Sequence, residues 1–184
     1  MNAPASAFIV SFLAMVLIAA SYFFKRKSSY LLSQAMGIVC LILSYFFTGE
    51  YFAMLGLSVA LVRTVVFFLY EKEGKRAPVF LAFVFSALTV AVYEAVNLWT
   101  CRRVKPLDIL CLVSLVLYSF IFRMRDLKKV RFAVLIPTSL AIIYNIGNHT
   151  VPFVIISYVF ELGANVASIL KYHAYKQKNK TQSV

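Results

Sequence analysis

Acidic side chains are scarce in this chain, with seven Asp and Glu among 184 residues against nineteen Lys and Arg. They are also scattered, so no two carboxylates sit at a spacing suited to general acid–base work. Histidine is scarcer, and neither His149 nor His173 belongs to a metal-ligand pattern. Of the three cysteines, Cys40 and Cys111 lie in apolar stretches and read as buried thiols. Cys101 has no neighbouring base or partner. These absences argue against an enzyme, a metal centre and a bound cofactor. Charge as a whole is thin at 14% of residues, where soluble domains carry about 25%. No basic residue precedes the first apolar stretch, so "MNAPAS" does not read as the start of a cleaved signal peptide. The first helix is expected to be retained.

What remains is apolar. Hydrophobic residues make up 62% of the chain and the mean hydropathy is +0.83. A water-soluble fold this small cannot bury such an excess, because small domains keep too much surface. The fold class is therefore an all-α integral membrane protein. Seven apolar stretches approach spanning length, at about Ala5–Phe24, Tyr30–Phe47, Tyr51–Tyr70, Ala77–Leu98, Leu107–Phe122, Phe132–Ile146 and Pro152–Tyr172. Their apolar residues run continuously, whereas a lipid-facing strand would alternate. Links such as "KRKSS", "TGE" and "EKEGKR" leave no room for a soluble domain. One transmembrane domain, 1–184, is expected, ending in a polar, unstructured tail at 173–184.

Basic residues set the expected orientation. With the N-terminus outside and the C-terminus cytoplasmic, fifteen of the nineteen Lys and Arg fall on the cytoplasmic side. Arg102, Arg103 and Lys105 fall outside, and Arg63 is left within the membrane. The net charge of +12 then reflects contact with anionic membrane lipids rather than with nucleic acid.

Sliding the chain on itself by 98 residues brings out a repeat in layout. "YFFKRKSS" falls on "FIFRMRDL", Lys25 on Arg123, Lys27 on Arg125 and Gly49 on Gly147. Two parallel three-helix repeats joined by a linker helix (3+1+3) are expected. They cover about 5–70 and 107–172, with the linker at about 77–98. The same offset sets Arg63 on Glu161, so each repeat carries one opposite charge at mid-depth of its third helix. An unpaired charge at the bilayer centre costs about 2.5–3.5 kcal/mol on insertion scales. The two are therefore expected to approach each other across the interface between repeats. Asn165, four residues after Glu161, shares its helical face. Glu94 and Asn97 near the end of the fourth helix, with Tyr144 and Asn145 at the end of the sixth, complete a candidate substrate-binding set. Asp108, Asn148 and His149 decorate the same outer side. Trp99 reads as an interfacial anchor. Pro137 is a candidate bend in the sixth helix.

The Arg63–Thr64 pair, the Tyr144–Asn145 end of the sixth helix and Asn165 in the seventh resemble the YgjV family of bacterial inner-membrane proteins. The resemblance implies a place in the bacterial inner membrane. It also implies grouping with SWEET, PQ-loop and Pnu-type transporters, which share the 3+1+3 plan. No Pro-Gln dipeptide occurs here, and Pro137 faces Val39 under the repeat offset, so proline hinging is not symmetric. Two functions follow as expectations. One is a carrier or facilitator for a small polar solute, held near Arg63, Glu161 and Asn165, with Arg63 gripping an oxyanion and Glu161 carrying a proton. The other is a non-transporting receptor, assembly factor or complex subunit in which the Arg–Glu pair is structural. A homo-oligomer is expected by analogy alone.

Overall fold

The computed structural model describes residues 5–48, 51–100, 106–147 and 152–181. All of the regular structure there is helical. The seven helices are α1 (Ala5–Ser21), α2 (Lys27–Thr48), α3 (Tyr51–Lys72), α4 (Val79–Thr100), α5 (Pro106–Ile121), α6 (Leu127–Gly147) and α7 (Pro152–Thr181). Five of them, α2, α3, α4, α6 and α7, are long and apolar enough to cross a membrane, while α1 and α5 are apolar but shorter. Each helix packs on the next in sequence, and α7 packs back on α1, closing a ring.

Helix ends follow local chemistry. Pro106 and Pro152 open α5 and α7, where a missing N–H costs nothing. Asp126 caps α6 by accepting a hydrogen bond from the Lys128 amide at 2.9 Å. That cap starts α6 at Leu127, five residues before the apolar stretch that hydropathy alone marks out. The first stretch shortens instead. Tyr22, Phe23 and Phe24 leave α1 through amide bonds to carbonyls three residues back. The tail expected to be unstructured is helical through Thr181, since nothing from His173 to Thr181 is Gly or Pro.

α3 ends in a Schellman turn. Gly74 has φ +69°, its amide bonds the Glu71 carbonyl, and the Lys75 amide reaches back to Tyr70. Any Cβ there is strained, although the space is open. Gly74→Ala is therefore expected to lower stability by about 1 kcal/mol, read as a drop in melting temperature of the detergent-solubilised protein.

The packing reverses the soluble pattern. Large apolar side chains such as Ile9, Phe80, Leu98 and Trp99 are exposed, whereas Arg63, Thr64, Gln34, Asp108, Glu161 and Asn165 are buried. Lipid solvates the outside of such a bundle, and the interior satisfies its polar groups by hydrogen bonding between helices. Ser11 and Ser44 bond each other between α1 and α2, and Ser33 donates to the Leu17 carbonyl. The seam is tight at Gly37, where a Cβ would lie 2.5 Å from the Ile18 side chain. Pro137 lies in the middle of α6, and its carbonyl accepts from Ser114 of α5 at 2.9 Å.

The basic turns gather at one end of the ring. Lys27 at the start of α2 pairs with Glu71 near the end of α3 at 2.8 Å. Arg123 donates to the Ala77 carbonyl, and Arg131 to the Phe24 carbonyl. Basic side chains thus fasten three separate turns to one another.

Candidate functional site

Arg63 and Glu161 are both buried in the bundle, 3% and 6% exposed, but they do not form an ion pair. The expected approach across the interface is corrected by the partners each one takes. Arg63 Nη1 donates to the Leu115 carbonyl at 2.7 Å and to Ser119 Oγ at 3.1 Å, both on α5. Its guanidinium carbon lies 5.8 Å and 5.5 Å from the ring centroids of Tyr118 and Phe122. Aromatic faces and a helix carbonyl take the place of an anion, and desolvated cation–π contacts of this kind contribute about 2 kcal/mol.

Glu161 sits among tyrosines. Tyr22 Oη donates to its Oε1 at 2.5 Å, and Tyr30, Tyr118 and Tyr158 are its electrostatic neighbours. Tyr22 packs edge-on to Tyr30 at 5.5 Å, and Tyr30 edge-on to Phe122 at 6.0 Å. An aromatic layer therefore stands between the two charged residues, with Tyr118 bordering both. The arrangement has a regularity of its own, because α3 sends its charged residue to α5 while α7 sends its own to Tyr22, the residue that follows α1.

A cavity of about 870 Å³ opens at the end of the ring where the basic turns meet. Its wall draws on the α1–α2 turn, the end of α3, the α5–α6 turn and the last membrane turns of α7. Tyr22, Arg131 and Ser168 are its buried lining residues, together with Lys27 at the rim. Ser168 Oγ donates to the Tyr22 carbonyl at 2.7 Å, which fixes α7 to the end of α1.

The seven residues singled out from sequence stand differently toward this cavity, and none of them lines it. Glu161 lies one hydrogen bond behind Tyr22. Asn165 lies one behind Arg131, its Nδ2 donating to the Arg131 carbonyl at 2.7 Å. Arg63 is held on the α5 side by the contacts above. Asn145 turns back to its own helix, donating to the Ala141 carbonyl. Asn97 is buried on α4, Glu94 is exposed there, and Tyr144 is half-buried on α6. Asn148 and His149 lie outside the described residues.

Sequence reasoning passed over Tyr22 and Arg131. Arg131 is one of the fifteen basic residues on the expected cytoplasmic side, yet it is 9% exposed. The available signal was its position one residue before an apolar stretch, where a cation must either snorkel or find partners inside. Tyr22 carried no signal, since tyrosines near span ends usually anchor at the interface. Among the described residues, no group of His, Cys, Asp and Glu is arranged to hold a metal.

The family model for Imp-YgjV, described as bacterial inner membrane protein, matches residues 5–177. No curated protein and no solved structure matches the chain.

Proposed function

Because the chain belongs to the Imp-YgjV family of bacterial inner membrane proteins, we propose that it is a membrane carrier or facilitator for a small polar metabolite. The observation that carries this reading is the cavity of about 870 Å³, which leads from the basic end of the bundle to Tyr22 and Arg131. Small-molecule sites usually occupy about 300–1,000 Å³. A protein serving only as a scaffold has no need for such a space between its helices.

The reading places the basic end in the cytoplasm, with the N-terminus outside, on the positive-inside bias. It also takes the helices as two parallel triplets, α1–α3 and α5–α7, with α4 as linker. The crosswise contacts support this, since Arg63 of the first triplet holds α5 and Glu161 of the second holds Tyr22, just past the end of α1. A pseudo-two-fold axis along the membrane normal relates contacts in this way. A common plan with SWEET and PQ-loop carriers belongs to the same proposal. In the transport cycle the α1–α7 contact is the moving seam, because the cavity ends there on the Tyr22–Glu161 bond. The Arg63 hydrogen bonds to α5 stay in place.

Two measurements on the purified protein test it. A panel of organic acids, phosphate esters, sugars, nucleosides, vitamins and amino acids is screened for thermal stabilisation. A ligand at a hundred times its Kd adds about 2.7 kcal/mol. The stabilising solute is then followed into proteoliposomes, where protein-dependent flux is expected. Binding without flux would replace the carrier by a receptor or complex subunit, and no binding across the panel would remove both.

A further inference from the structure

The charge around the cavity is one-sided. Lys25, Lys27, Arg125, Lys128, Arg131 and Lys171 face it, against Glu71 and Asp126. Both carboxylates are already engaged, Glu71 by Lys27 at 2.8 Å and Asp126 as the cap of α6. Lys128 packs its ammonium 4.0 Å from the Tyr172 ring centroid. The remaining cations have no acidic partner in the wall, and a cleft lined by one sign concentrates ligands of the other.

Within that field, Arg131 is built differently from the surface lysines. It is buried, and one guanidinium nitrogen, Nη2, is spent on the Phe24 carbonyl at 2.7 Å. Asn165 grips its backbone carbonyl, also at 2.7 Å. The side chain is therefore positioned from both ends. Its Nε is buried and has no hydrogen-bond partner, and the Oδ1 of Asn165 is likewise buried and unpartnered. A buried guanidinium N–H left without an acceptor carries a desolvation cost that an entering oxyanion removes. Arginine presents five donors in a fixed fork that matches the oxygens of a carboxylate or phosphate.

We infer that the cavity is a site for a small oxyanion, a phosphate or carboxylate group, anchored on Arg131 and drawn in by the surrounding lysines. This rests on the carrier reading for its site but not for its chemistry. It narrows the solute to an acidic metabolite or phosphate ester. Uncharged sugars and cationic amino acids meet a repulsive or indifferent wall. The oxyanion has two sources, a soluble anion or the headgroup of an anionic lipid, and both would present the same oxygens to Arg131.

The test uses the full chain in nanodiscs of phosphatidylcholine, with inorganic phosphate and succinate as probes and glucose as the uncharged control. Affinity is read by thermal shift and calorimetry. Phosphate or succinate is expected to bind, glucose is not, and Arg131→Gln is expected to weaken binding at least tenfold. Since Arg131 also holds the Phe24 carbonyl, a second variant, Lys25→Gln with Lys171→Gln, covers failure of the first to fold. Both lysines are exposed, and their loss is expected to weaken binding about threefold and flatten its salt dependence. A lipid source shows as stabilisation by phosphatidylglycerol in the nanodisc, lost in the same variants, with the soluble probes inert. Glucose binding as tightly as the anions, or anion and phosphatidylglycerol effects that survive in the variants, would overturn the inference. Oxyanion binding without flux would leave it standing and remove the carrier. Arg131-independent flux of a neutral solute would do the reverse.

Discussion

Arg63→Met is expected to fold and to keep its solute affinity, whereas Arg63→Glu is expected to lose about 3–5 kcal/mol of stability. The asymmetry comes from what surrounds the guanidinium. Its acceptors are the Leu115 carbonyl and Ser119 Oγ, with two aromatic rings beside it. Ser119 Oγ also donates to the Leu115 carbonyl at 3.4 Å, so that oxygen keeps a partner when the arginine goes. Methionine fills the stem volume and lies comfortably against rings. A glutamate in the same place would face a carbonyl oxygen and two ring faces, all of them electron-rich. Chemical unfolding of the two variants in one detergent measures the difference. Equal losses in both would show that the fold needs the guanidinium itself, and a folded Arg63→Met that loses solute affinity would return the solute site to mid-membrane.

The second large effect lies at the Tyr22–Glu161 bond. Tyr22→Phe strips the carboxyl of the tyrosine donor held at 2.5 Å, and Glu161→Leu leaves a buried phenol without its acceptor. Each change is expected to cost about 1–3 kcal/mol. The double variant Tyr22→Phe with Glu161→Leu removes both polar ends, so it is expected to regain most of the combined loss, a coupling of about 1–3 kcal/mol. Stability and transport should then separate. The double variant is expected to bind solute as the wild type does, because the cationic wall is intact, but to show little flux. The Tyr22–Glu161 bond between α7 and the exit of α1 is what the moving seam breaks and remakes. Full flux in a stable double variant would reduce Glu161 to a packing element and shift the seam elsewhere.

Both experiments bear on a pair of residues that sequence placed at equal depth and that the fold holds apart. Depth is a local property. It follows from how many residues separate Arg63 and Glu161 from the ends of their helices at about 1.5 Å each, and the offset of 98 residues matched it. Azimuth is another matter. Each residue turns a helix by about 100°, and which neighbour a side chain meets depends on how every helix is rotated against the others. Arg63 is turned to α5 and Glu161 to Tyr22 at the exit of α1, with Tyr30, Tyr118 and Phe122 in between.

The same distinction governs the cavity. Glu94, Asn97, Tyr144 and Asn145 enter the candidate binding set at the end opposite the basic turns, since polarity near a span end is all that sequence registers there. Packing put the space at the basic end instead, where Tyr22 through Phe24 leave α1 and where Arg131, Arg123 and Lys27 tie the turns to one another.

Hydropathy, charge and spacing by themselves determined that this is a helical membrane protein, roughly where the seven helices of the described residues run, and which turns carry the cations. Those features depend on each segment's own transfer from water to lipid. Only the tertiary structure decided that Arg63 is held by a carbonyl and two rings, that Glu161 answers to Tyr22, and that Arg131 stands at a cavity. Each of those depends on side chains more than forty residues apart meeting at one place, and transfer energies of single segments carry no information about such meetings.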